Sequence, residues 1–320
     1  MEKAALSGGG MFAVGLKRFY KGVGMLFFVL VALIALMGII NPQFFTFING
    51  VTVLRQACFL ALVAAGQMLV ILTAGVDVSL GAMIGLCSVI AAMVSKQFGT
   101  VAGWITPLLV GGGIGLLNGF VVGRFKIDSF AVTLGTMGIS GGLALIISKG
   151  LTIYNLPLSY QSLAYINLGP VPLPVLIAAA VLVAMYFVLY RLRFGRYVYA
   201  VGGNREALRL AGVNVQRVML WVFAGAGILT GIAAAMLSAR INSGQPNLGK
   251  SLMMESIAAC VVGGVTFKGG VGNLGGVVIG VLFLSTLSNG FDLIGVSSFV
   301  KEVVVGAIII VAVVLDKYKK

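Results

Sequence analysis

Apolar residues run along this chain in ten stretches, separated by short polar gaps, at roughly 23–40, 52–74, 79–95, 102–123, 129–148, 172–190, 218–238, 253–267, 273–291 and 299–315. A bilayer-spanning helix needs about 20 apolar residues, so ten spans use about 200. The remainder is scattered in short loops, and no segment is long enough to fold as a soluble catalytic domain. The first stretch does not read as a cleavable leader. Lys17, Arg18 and Lys21 precede it, and Asn41-Pro42 follows it where a small-residue cleavage site would stand. The pattern predicts an all-α polytopic membrane protein, with residues 1–320 forming a single transmembrane domain.

Charge sets the orientation. With the N-terminus inside, the inner segments hold sixteen of the 22 basic residues: Lys3, Lys17, Arg18, Lys21, Arg124, Lys126, Arg191, Arg193, Arg196, Arg205, Arg209, Arg217, Lys268, Lys317, Lys319 and Lys320. This is the bias expected of cytoplasmic loops. The stretches 79–95 and 253–267 are short for full spans. If 79–95 did not cross, the six-Arg segment 191–217 would move outside; if 253–267 did not cross, the Lys-rich C-terminus would. Both are therefore read as short or broken crossing segments buried among other helices, where irregular backbone is tolerable. Both termini are then cytoplasmic.

The two halves resemble each other weakly. Asn118-Gly119-Phe120 returns as Asn289-Gly290-Phe291 and Leu80-Gly81 as Leu248-Gly249, at offsets of 171 and 168. Ser88-Val89-Ile90-Ala91 matches Ser256-Ile257-Ala258-Ala259 in the same register. Five spans per half is an odd number, so the halves, about 22–150 and 171–316, must be inverted. Inverted repeats in transporters place the solute path at their interface. The competing reading is chance likeness between Gly-rich helices.

Composition agrees with a lipid setting. Charged residues are 9% of the chain and hydrophobic ones 60%, where a soluble domain carries about a quarter charged. The 46 glycines suit close helix packing in lipid. A net charge of +14 would suggest nucleic acid in a soluble protein, but here the charges lie in the gaps between spans, so no nucleic-acid partner is expected. His is absent, which removes the usual general base and the commonest metal ligand. Cys58, Cys87 and Cys260 stand alone in apolar runs, and none pairs in CxxC spacing. No metal site and no catalytic residue is expected.

Four segments invite chemistry. Gly244-Gln245-Pro246-Asn247-Leu248-Gly249-Lys250-Ser251 fits the phosphate-loop pattern. That pattern needs a parallel sheet around it, and here a span precedes it on the outer side, so the match is read as chance. Residues 191–217 form the longest polar stretch. Gly202-Gly203-Asn204 is read as a loop, Asn204 as the N-cap of a short helix with Glu206 in its first turn, and Gly212 as its C-cap. Ala207, Leu210 and Ala211 share one face. Such a helix either rests on lipid headgroups or docks on a cytosolic partner, and the residues alone leave both open. Asp77, between two apolar runs, either serves function or caps the helix beginning near Ser79, and the cap is favoured. Glu255 is read as a first-turn acid of a short helix. Gln67, Asn118 and Asn289 either face a polar path or bond neighbouring helices.

In order and spacing, several segments together resemble the ribose-type permeases of bacterial sugar ATP-binding-cassette importers, from about Asn41 to Asp316. They are Leu72–Gly81, Asn118 through Phe130 to Thr136, Phe194–Val215, Ile257–Gly264, and Gly269–Gly276 with Asn289-Gly290. The resemblance implies a type II importer-like permease in a bacterial inner membrane, one of two copies or sister chains. Cytosolic ATPase subunits would bind the ATP, so no cofactor is expected in this chain, and an extracytoplasmic sugar-binding protein would deliver the solute. Carried over by position, Asn204, Glu206, Ala207, Leu210, Gly212, Val213 and Asn214 would form the ATPase contact. Thr133 and Leu134 would lie near the inner gate, and Gln67, Asp77, Ser79, Asn118 and Asn289 complete the candidate path. Lys250 and Met253 depart from the family pattern, which puts the outer surface and the substrate in question.

Other readings make different demands. A secondary transporter would need ionisable groups within the membrane, and only Asp77 and Glu255 qualify. An importer permease for a nucleoside or a branched amino acid would share the same frame. A membrane enzyme would need paired carboxylates or a Ser elbow, and neither is present.

Overall fold

A computed structural model describes residues 8–318, with side chains from Gly24 to Val314. The terminal basic residues Lys3, Lys17, Arg18, Lys21, Lys317, Lys319 and Lys320, together with Asp316, fall outside the described side chains. The described residues form thirteen α-helices: α1 Gly8–Ile40, α2 Phe47–Leu72, α3 Leu80–Phe98, α4 Thr100–Phe125, α5 Ser129–Ser148, α6 Leu158–Tyr165, α7 Leu173–Tyr190, α8 Arg193–Gly203, α9 Arg205–Leu210, α10 Val215–Ile241, α11 Lys250–Val262, α12 Leu274–Leu293 and α13 Ser298–Tyr318. Four two-residue strands make two antiparallel pairs: β1 Ile153–Tyr154 with β4 Ser243–Gly244, and β2 Asn167–Leu168 with β3 Val171–Pro172.

Each apolar stretch read from the sequence falls mainly in a helix, though 253–267 runs past the end of α11 at Val262. Seven of these helices, α2, α3, α4, α5, α7, α10 and α12, are long and apolar enough to cross a membrane. The stretch 79–95, read as short or broken, is one continuous 19-residue helix, α3. The stretch 253–267, read as short or broken, is a short helix followed by a turn. α11 has 13 residues, about 20 Å, which falls short of a roughly 30 Å hydrocarbon core. It ends at Gly263, and Gly264 turns with φ +84°. α8 and α6 were not foreseen: Gly202 and Gly203 close the last turn of α8, where a loop was expected.

α2 is the hub. Of its apolar window 83% is buried, against 17% for α5 and 22% for α7, so α2 is wrapped by protein while α5 and α7 stand at the periphery. α10, α12, α11 and α7 all pack against it. α4 lies along α10, and α12 along α2; α3 meets α4 and α5, and α11 meets α12 and α13. Lipid gives helices no hydrophobic reason to associate, so close backbone packing must serve. Gly111, Gly115, Gly119 and Gly123, one per turn of α4, supply it against α10. A Cβ at Gly111 would strike the Gly227 carbonyl, one at Gly115 the Phe223 carbonyl, and one at Gly119 would lie 2.7 Å from the Leu220 Cα.

The connections gather at two ends of the bundle. At one end the Gly270 N–H donates to Leu72 O (2.9 Å) and the Tyr199 hydroxyl to Gly272 O (3.0 Å). The segments 73–79, 191–214 and 263–273 are joined there. At the other end the Asn41 amide donates to Leu293 O, the Leu156 N–H to Asn242 Oδ1, and the Tyr165 hydroxyl to Arg240 O. Tyr160 of α6 is fully buried there, its hydroxyl donating to Ala235 O at 3.0 Å.

Candidate functional site

Between α2 and α3 the chain leaves helical geometry over Thr73–Ser79. A buried break must find partners for its polar groups, and side chains of the break itself and of three helices, α2, α4 and α5, provide them. The Asp77 carboxylate accepts from the Ser79 N–H (2.8 Å) and hydroxyl (2.5 Å). The Asn118 amide of α4 donates to Ser79 Oγ (3.2 Å), and Thr136 of α5 donates to Asn118 Oδ1 (2.6 Å). Thr133 Oγ1 accepts from the Val78 N–H (3.2 Å), and Ser129 Oγ accepts from the Val76 N–H (3.0 Å). With its amide turned to suit, Gln67 donates to Asp77 O (3.0 Å) and accepts from Asp77 N (3.3 Å). Gln67, Asp77, Ser79, Asn118 and Thr133 are all buried.

These residues are the joint that fixes the break to α4 and α5. Leu134 is 45% exposed on the outer face of α5, one residue from Thr133. Asn289 lies apart from them. Its amide donates to Asn49 Oδ1 (2.9 Å), and Asn49 in turn donates to Phe44 O. Asp77 accepts from the N–H of Ser79, the residue just before α3, and α3 itself has no side-chain cap. Glu255 is the sixth residue of α11, so it is not a first-turn acid. It lines a cleft of about 240 Å³ with Ser251, Ser288, Lys301 and Glu302.

The joint leads directly to α9. Arg205 Nη2 donates to Thr73 O at 2.9 Å, at the start of the break. Gly202 is pressed so closely on Leu72 that a Cβ would overlap the Leu72 carbonyl. α9 has only six residues and holds its shape through its ends. Asn204 Oδ1 accepts from the Ala207 N–H (2.9 Å) as N-cap. At the C-terminus Val213 N donates to Leu208 O and Gly212 N to Arg209 O, with Gly212 at φ +81°. This is the Schellman arrangement, which satisfies the last carbonyls. Leu208 and Val213 pack inward on the core, and Asn214 Oδ1 caps α10 through the Arg217 N–H (3.1 Å). The expected Asn204 and Gly212 caps both form.

Among the described residues none covers the other side of α9. α9 has no buried residue, and Leu210 is 73% exposed. Ala207, Leu210 and Ala211 point away from the bundle. Glu206 and Arg209 pair at 2.5 Å on the surface, and this hydrogen bond holds the Glu206 carboxyl below its usual range.

The phosphate-loop lookalike is filled by protein. Gly244 packs on Ser88 and Ala92 of α3, and Gly249 on Gly81 and Ile84. Ser88 Oγ donates to Gln245 O at 3.0 Å.

Many apolar helices wrapped round a buried hub, with one exposed helix wired to the break that follows that hub, define a multi-pass helical membrane protein. Comparison with known proteins agrees. The family described as branched-chain amino acid transport system / permease component matches residues 49–313. The ribose import permease of Bacillus subtilis is 37% identical over 296 residues, 92% of each chain. That of Escherichia coli K12 is 34% identical, covering 91% of this chain and 92% of its own. The L-arabinose transport system permease of Escherichia coli K12 is 37% identical over 329 residues, 100% of this chain and 98% of its own. No solved structure matches. The chain belongs to this permease family, and it is a transport permease component of the inner membrane, not an enzyme.

Proposed function

We propose that this chain is the permease subunit of an ATP-driven importer and forms the passage for a monosaccharide. A cytosolic ATPase docks on α9, and an extracytoplasmic binding protein delivers the sugar. The observation that carries this reading is the exposed, doubly capped α9 tied through Arg205 to the Thr73–Ser79 break. The relatives' names, ribose, arabinose and D-allose permeases, support the sugar class.

Asn204, Glu206, Ala207, Leu210, Gly212, Val213 and Asn214 form the ATPase contact and its frame. Closure of the ATPases moves α9. Arg205 passes the shift to Thr73, and the joint of Gln67, Asp77, Ser79, Asn118 and Thr133 passes it to α5. The exposed stripe of α5 around Leu134 lines the inner gate. Asn289 works at the other end, holding α12 to α2.

The two halves form an inverted repeat of five segments each, about 22–150 and 171–316, and two such chains enclose the path. The packing supports the repeat: α4 on α10 has its counterpart in α12 on α2, and α3 on α4 and α5 in α11 on α12 and α13. The repeat-matched Gly81 and Gly249 each press on the other's carbonyl, as residues near a local two-fold axis would. Both termini are cytoplasmic. Arg191, Arg193, Arg196, Arg205, Arg209 and Arg217 on the α9 side support that orientation.

The test is purification of the tagged chain in mild detergent from its native host, followed by mass spectrometry of what accompanies it. The reading expects a cytosolic ATPase that is lost in Glu206→Lys. Recovery of the chain alone, with solute transport after reconstitution without ATP, contradicts it.

A further inference from the structure

At the end of the bundle opposite α9 two arginines, Arg55 and Arg240, form no ion pair among the described residues. Arg55 of α2 and Arg240 in the last turn of α10 line one cleft with Thr52 and Asn167. Arg55 Nη2 donates to Asn167 Oδ1 (2.9 Å), and its buried Nε has no partner. The Arg240 guanidinium stands 5.4 Å over the Phe59 ring. The ion pairs among the described residues, Glu206–Arg209 and Asp292–Lys301, involve neither arginine. Two neighbouring cations at the edge of an apolar bundle are costly unless something negative completes them.

A second feature adjoins this cleft. Across the ridge of Phe47, Val51 and Pro170 lies an apolar groove of about 600 Å³. It runs down between α1 and α2 to Leu30, Ile34 and Leu282. Phe45 and Phe47 at its rim are 65% and 69% exposed, an apolar surface that suits lipid and not water. A groove of hydrocarbon character ending at two uncompensated guanidiniums has the chemistry of a diacyl anionic lipid. The phosphate meets the fork donors of the arginines, and a chain fills the groove.

We propose that an anionic phospholipid of the outer leaflet occupies this site, with its phosphodiester at Arg55 and Arg240 and an acyl chain between α1 and α2. An acidic patch on a delivering protein would answer the charge but would leave the groove unfilled, so the lipid accounts for both features.

The experiment is native mass spectrometry of the full chain released from detergent after incubation with equal phosphatidylglycerol and phosphatidylcholine. Thermal unfolding is followed alongside. Wild type is expected to retain phosphatidylglycerol in preference. Affinity should fall about fivefold for each arginine replaced in Arg55→Ala and Arg240→Ala, the effect of one basic side chain at an anionic lipid surface. Val51→Trp, which leaves both arginines and obstructs the groove, should also reduce retention. The double-arginine variant should lose the rise in melting temperature that phosphatidylglycerol gives wild type. Equal retention of the two lipids by wild type overturns the proposal. So does undiminished phosphatidylglycerol on the double-arginine variant, including the case where that variant loses only a binding protein. Loss with the arginine variants but not with Val51→Trp overturns the acyl-chain placement.

Discussion

Gly212→Ala should weaken ATPase docking without disturbing the membrane bundle. Gly212 sits at φ +81°, where a side chain costs roughly 1–2 kcal/mol through contact with its own backbone. Around it there is open space, since an added Cβ would meet nothing within 4 Å. The cost is therefore conformational and falls on the C-cap of α9 alone. A six-residue helix has no stability of its own. It is held by the Asn204 cap, worth about 1 kcal/mol, by Arg205 on Thr73 and by the inward packing of Leu208 and Val213. Losing 1–2 kcal/mol shifts its ordered fraction by up to about 5–30-fold, and the apparent Kd for the ATPase rises as that fraction falls. Asn204→Ala attacks the other end and should weaken docking about fivefold, while Asn204→Asp, which keeps an acceptor, should restore it. The assay is ATPase binding to the purified permease, with thermal unfolding as a control. Unchanged affinity in both Gly212→Ala and Asn204→Ala would refute the reasoning. So would a fall in Tm that fully accounts for the loss.

Other perturbations separate the parts. Asp77→Ala strands the Ser79 N–H and hydroxyl, each costing about 1–3 kcal/mol when buried unpaired, so it should lower Tm and uptake together; Asp77→Asn, which keeps an acceptor, should do much less. Gly115→Leu drives a side chain into the Phe223 carbonyl and should abolish recovery of folded protein from membranes, whereas Gly113→Leu, where an added Cβ meets nothing, should be recovered normally. Glu206→Lys sets a cation beside Arg209 and should abolish ATPase co-purification. The Glu206 carboxyl is held below its usual range, so its pairing persists above the ordinary carboxylate pKa and is lost only as pH falls through the lowered value. ATPase binding should accordingly stay flat from pH 8 down to about pH 6.

The sequence carried the helices and the caps because both are local. A run of apolar residues, an Asn before a helix and a Gly after it each act within a few positions. What it did not carry was long-range. Gln67, Asp77, Ser79, Asn118 and Thr133 could be singled out one by one as polar residues in apolar runs. Nothing in their spacing said that they close on a single break, because the bonds from Thr133 and Asn118 span 55 and 39 residues and depend on how α2, α4 and α5 pack. Asn289, matched to Asn118 by the repeat, bonds Asn49 instead. α6 was missed because its tie, the Tyr160 hydroxyl on Ala235, spans 75 residues. The length of α3 was misread because Lys96 and Gln97 truncated its apolar run, although the helix continues through them to Phe98.

The central claim is that movement of α9, driven by ATP in a partner, opens a sugar path through this chain. Uptake of labelled D-ribose, D-allose and L-arabinose into proteoliposomes holding this permease with its co-purified ATPase and binding protein tests it most directly. The account predicts uptake of at least one of these sugars that requires internal or external ATP on the ATPase side and vanishes in Gly212→Pro, whose fixed φ near −65° cannot take the turn. Uptake that proceeds without ATP and collapses with a proton uncoupler would contradict it.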